Sequence, residues 1–177
     1  MPCSRRRALR SPPGEPPVGA FLFFVPRYYK CMEPKKLILD HLKNANVMQL
    51  ATAQNNQPWV CNVHFYTDEH LNLYWLSEPG RRHSQDIAAN PKVAVAVLVS
   101  EEMPLIGVQL EGDAEQCDAA DYVEVLHAYG KRHHREAWAQ AVIDGEGNNK
   151  LYKFTPRVLG LFDLKNFPKD PKQEWRA

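Results

Sequence analysis

Residues 71 to 99 read LNLYWLSEPGRRHSQDIAANPKVAVAVLV, and the order of textures in that stretch decides the architecture. Leu71 to Leu76 has the aromatic and aliphatic content of a half-buried strand, which Pro79-Gly80 ends. A short helix follows. Arg81, Arg82 and His83 fall on its opening turn, where free backbone N–H groups and the positive end of the helix dipole already favour an anion. Asn90-Pro91 stops the helix, because the residue before a proline is driven away from helical dihedrals, and Val93 to Val99 resumes as an apolar strand. Strand, basic turn and helix start together predict a phosphate cradle, with the Ser77 hydroxyl at its edge.

Working outward, Pro34 to Ala45 predicts a helix with Leu37, Ile38, Leu42 and Ala45 in one stripe, placed to plug the end of a barrel. Val47 to Ala53 reads as a strand, Gln54 to Gln57 as a turn, and Trp59 to Thr67 as the antiparallel return. Val93 to Ser100 makes the fourth strand and Leu105 to Cys117 the fifth, with Gly107 and Gly112 at bulges or close backbone approaches. Asp118 to Lys131 and Arg135 to Ile143 form a helical pair broken at Gly130. Leu151 to Leu164 returns as the last strand, with Pro156 at an edge or bulge. Five short strands around one core favour a small closed barrel, of mainly β class with helices (α+β).

In this order of elements the chain resembles the pyridoxamine 5'-phosphate oxidase-like group of FMN-binding split barrels, from about Pro34 to about Phe167. In that group a strand ending in Thr or Ser leads to a basic turn, a short helix, Asn-Pro and another strand. The resemblance implies that Ser77, Arg81, Arg82 and His83 hold the phosphate of FMN. It also implies that the strand carrying Asn62, Val63 and His64 lines the flavin ring, and that two subunits enclose each flavin in a homodimer. His64 fits a hydrogen-bonded core position equally well. The implied activity is flavin-dependent oxidoreduction of a small molecule. A deazaflavin (F420) reductase, or a non-catalytic binder of flavin or haem, is also compatible. The C-terminal residues 167–177 lack the Arg-containing segment that grips the substrate phosphate in the group's true oxidases, so vitamin B6 oxidation is not implied.

Lys and Arg number 22 and Asp and Glu 21, for a net charge of +1. That balance argues against a nucleic-acid footprint or attraction to an anionic membrane, and turns attention to pockets. Cys3, Cys31, Cys61 and Cys117 form no C-x-x-C pair, so reduced cytoplasmic thiols are expected, without a zinc site. Residues 1–31 read as a leader outside the domain at 32–177. Arg5-Arg6-Arg7 resembles an export signal, but Pro12, Pro13, Pro16, Pro17 and Pro26 interrupt the segment, and Gly19 to Val25 is too short to span a membrane. His127, His133 and His134 are expected as solvated cations near a helix end, and Lys131 to Arg135 as a solvated charge run.

Overall fold

The computed structural model describes residues 33–176; the leader expected at 1–31 lies outside them. The described chain opens with α1 (Pro34–Asn44), where proline sits in the first turn and its missing N–H removes no helical bond. Leu37, Ile38 and Leu42 are its buried stripe. β1 (Val47–Gln54) and β2 (Gln57–His64) form a hairpin whose turn residues Asn55 and Asn56 both adopt positive φ, 51° and 61°. Asparagine tolerates that region, and two such residues match the right-handed twist of the flanking strands. β3 (Tyr66–Thr67), β4 (Leu73–Ser77), α2 (Arg82–Ala89), β5 (Lys92–Ser100) and β6 (Ile106–Cys117) follow. A 3-10 turn at Ala119–Tyr122 leads into α3 (Val123–His133), α4 (Glu136–Ile143), β7 (Lys150–Asp163) and β8 (Lys172–Arg176).

The strands make one eight-stranded antiparallel sheet in the order β2-β1-β5-β6-β7-β4-β3, with β8 added to β7. This is the expected split-barrel α+β class, but not a ring of five strands. Trp59 to Thr67 is two strands rather than one: at Phe65 the chain leaves the ladder of β1 and joins that of β4. The two end strands of the sheet are therefore consecutive in sequence, and the barrel is split at a single residue. Phe65 is fully buried, its N–H donates to Asn46 O, and its carbonyl accepts from His133 Nε2 at 2.9 Å. His133 and Arg132 thus correct the expectation of solvated charge. Arg132 donates to Ala45 O, and burial pushes both side chains below their ordinary pKa, His133 being lowered further by His64, Arg132 and Arg135.

Inward residues of β1, β5, β6 and β7, among them Leu50, Val95, Leu110 and Leu159, join α1 and Ile87 in the main core. Gly112 lies at a bulge opposite Pro156, where an added Cβ would sit 2.1 Å from Thr155 O. Gly107 has ordinary clearance. Gly130 is no helix break. It lies within α3, and its missing side chain lets α4 approach, with Ala139 Cβ at 3.0 Å from where a Cβ would be. The break falls at His134, in the left-handed region. β8 was not expected from its charged sequence; Trp175, opposite Leu159, packs it on the core.

Candidate functional site

The β1–β2 hairpin has two faces, and period-2 alternation sorts the candidate residues between them. Met48, Leu50 and Thr52 point inward, opposite Val63, Cys61 and Trp59 respectively. The outward set is Val47, Gln49 and Ala51, opposite His64, Asn62 and Val60.

α2 is fastened to the inward set. Cys61 Sγ lies 3.4 Å from His83 Nδ1, and the Arg82 guanidinium lies 4.4 Å above the Trp59 ring. The Thr52 hydroxyl donates to Asp86 Oδ2 at 2.7 Å. At the other end of the helix Asn90 Nδ2 donates to Ala53 O at 2.9 Å. Hydrogen bonds at both ends fix the axis of a helix only eight residues long.

Its N-terminus is open. Arg81 is the N-cap and no side chain caps the turn; the first helical bond runs from Gln85 N–H to Arg81 O. The amides of Arg82, His83 and Ser84 precede that bond and belong to the set that a helix cannot satisfy itself. Arg82, on the first turn and half-exposed, lies beside buried Asp86, with Nε 4.0 Å from Oδ2, and against the Trp59 ring. Arg81 turns away to an exposed pair with Glu78 at 3.3 Å. Ser77, buried at the end of β4, holds His83 Nε2 at 2.8 Å and accepts from the Ser84 hydroxyl at 3.4 Å.

Both ring nitrogens of His83 are therefore engaged inside the protein. Burial, and then the Arg81 charge, push its pKa below the ordinary imidazole value, while burial raises that of Cys61. The sequence reading turns this ring toward a phosphate; in the structure its partners are Cys61 at Nδ1 and Ser77 at Nε2. Of the expected residues, Ser77, Arg82 and His83 come together around the helix start, and Arg81 lies at its rim. Val63 packs on the core. Asn62 and His64 face the other way. Gln49 Nε2 donates to Asn62 Oδ1 at 3.3 Å, and the His64 ring lies 5.0 Å from that of His133. Thr52, Trp59, Cys61 and Asp86 were not singled out as cradle residues. The i,i+4 spacing of Arg82 and Asp86 was the available signal for one of them.

Beyond Asn62 the outward face continues across β5 and β6 through Ala94, Ala96 and Gln109, forming a shallow groove of about 340 Å³. Val60 and Leu98 are exposed on it, at 59% and 61%. Among the described residues no helix is long and apolar enough to cross a membrane, and no group of three or more His, Cys, Asp or Glu is placed to hold a metal ion.

The family model for pyridoxamine 5'-phosphate oxidase matches residues 35–161, and the chain belongs to that family. Solved structures show the same fold. A conserved hypothetical protein of Mycobacterium tuberculosis matches with a TM-score of 0.66 at 15% identity, over 77% of this chain and 89% of that one. General Stress Protein 26 of Bacillus anthracis matches at 0.59 and 20% identity, over 82% and 100%. HutZ, the haem storage protein of Vibrio cholerae, matches at 0.59 and 18%, over 75% and 95%. No curated protein matches in sequence.

Proposed function

We propose that this chain is an FMN-dependent oxidoreductase that holds the flavin phosphate at the N-terminus of α2. The observation that carries the reading is the uncapped helix start with Arg82 on its first turn. Three free amides, the dipole and a guanidinium are the donor set that a phosphate monoester takes. Arg82 gives the charge-assisted contact and Arg81 strengthens the field from the rim, while the Ser77 and Ser84 hydroxyls, bonded to His83 and to each other, brace the turn behind them. His83 works by position. Through Cys61 and Ser77 it joins β2 to the end of β4 and keeps the first turn in place. Bound FMN would supply hydride transfer to or from a small substrate, with the protein setting its orientation and surroundings.

The protein works as a homodimer in this reading, with the outward face of β1, β2, β5 and β6 as the contact. Small residues at Ala51, Ala94 and Ala96 line its shallow groove, and Val60 and Leu98 supply exposed apolar area, which suits a self-complementary interface. Asn62 and His64 lie on that face, so their part in lining a flavin depends on the partner subunit. Free thiols at Cys61 and Cys117 favour a reducing, cytoplasmic setting.

The test is the absorbance spectrum and the cofactor mass of the purified full chain, followed by turnover with NADH or NADPH and an electron acceptor. An FMN mass with flavin bands and reductant oxidation supports the proposal. A deazaflavin mass or a haem band replaces the cofactor, and bound FMN without turnover makes the protein a flavin binder.

A further inference from the structure

Resting on the anion-cradle reading above, we infer that Asp86, aimed by the Thr52 hydroxyl, is a positioning residue that holds Arg82 in the orientation in which it takes a terminal phosphate. Asp86 is nearly fully buried, its side chain 4% exposed, one turn into a helix whose start otherwise gathers positive charge. As a charge alone it opposes the anion. Its placement makes sense through geometry.

Oδ2 accepts from Thr52 Oγ1 at 2.7 Å and lies 4.0 Å from Arg82 Nε. The approach is to Nε, so the outer fork of the guanidinium remains for a ligand. Trp59 gives the guanidinium a second contact, its ring centroid 4.4 Å away. Thr52 and Trp59 are register partners on β1 and β2, so one rung of the hairpin both anchors Asp86 and stacks on Arg82. Arginine has many rotamers, and a clamp that restricts them before binding lowers the entropy lost when the phosphate arrives. Asp86 also needs Arg82, because a buried carboxylate is stable only when paired and hydrogen-bonded.

The experiment compares FMN and riboflavin titrations of the full chain with Thr52→Val, Thr52→Ser and Asp86→Asn. It also follows the Arg82 Nε–H signal by 15N NMR while inorganic phosphate is added. Riboflavin lacks the phosphate, so the ratio of the two affinities isolates the cradle. Thr52→Val keeps the shape and the Asp86 charge but removes the aiming hydrogen bond; Thr52→Ser restores it. The inference expects Thr52→Val and Asp86→Asn to lower FMN affinity about tenfold, with riboflavin unchanged and Thr52→Ser close to wild type. The phosphate-induced shift of Arg82 shrinks in the same two variants. A gain of FMN affinity in Asp86→Asn, the result for a merely repelling charge, overturns it, as does an unchanged affinity ratio in Thr52→Val. If wild type binds neither flavin but phosphate still shifts Arg82, the flavin reading fails alone and the phosphate shifts of the variants decide this inference. No phosphate shift in wild type overturns both.

Discussion

The inward and outward faces of the β1–β2 hairpin are made by alternate residues of the same two strands, yet they do different work. Inward, Thr52, Trp59 and Cys61 are each committed to one residue of α2, and Leu50 and Val63 to the core. Outward, Ala51, Val60 and Asn62 meet no helix and line an open groove or its rim. The inward face fastens α2 to the hairpin. The outward face leaves its groove open to solvent.

The largest difference between the faces should appear in stability. Leu50→Ala removes a fully buried side chain and should cost about 2–5 kcal/mol, whereas Val60→Ser on the facing strand should change the monomer by no more than about 0.5 kcal/mol. Urea denaturation of both variants checks this; equal losses would mean that the outward face is part of the core.

Ligand affinity sharpens the contrast further. Arg82→Ala should weaken FMN binding by about 1.5–3 kcal/mol, roughly ten- to hundredfold, and leave riboflavin unaffected. Arg81→Ala should cost only a few-fold, since its side chain is 64% exposed and paired with Glu78. Equal losses on titration would exchange their roles.

A smaller effect lies in the pH dependence of folding. Burial lowers the pKa of His83, so below about pH 6.5 the unfolded chain binds a proton that the folded chain refuses. Stability should be full above that value and fall as pH drops toward the lowered folded value. His83→Gln should reduce this slope in urea midpoints measured between pH 5 and 7, leaving the part that His41 and His133 contribute through their own lowered values. The shape of the FMN affinity curve between about pH 6 and 8 should match in wild type and His83→Gln, because Cys61 and Ser77 rather than the phosphate hold the two ring nitrogens. A wild-type affinity that rises on acidification, and does so only with His83 present, would restore the imidazolium contact.

Local signals carried most of the fold. Asn90-Pro91 stops α2 where expected, and the Gln54 to Gln57 turn joins β1 to β2. The split at Phe65 was not legible, because an unbroken apolar and aromatic run from Trp59 to Thr67 does not show that its pairing partner changes from β1 to β4. β8 was hidden by Lys172, Glu174 and Arg176, which are its solvent side. At the site, the helix start with Arg81 and Arg82 could be read from spacing and dipole. The engagement of His83 could not: Cys61 is 22 residues away, and only the sheet brings its sulfur to Nδ1. Thr52 and Asp86, 34 residues apart, meet for the same reason.

The most direct test of the account is calorimetric titration of the full-length protein with FMN and with riboflavin under one buffer and salt condition. The phosphate cradle predicts that FMN binds at least tenfold more tightly than riboflavin, a difference of about 1.4 kcal/mol or more, and that Arg82→Ala abolishes the preference. Equal affinity for the two flavins, or a preference that survives Arg82→Ala, would contradict it and move the phosphate site away from the start of α2.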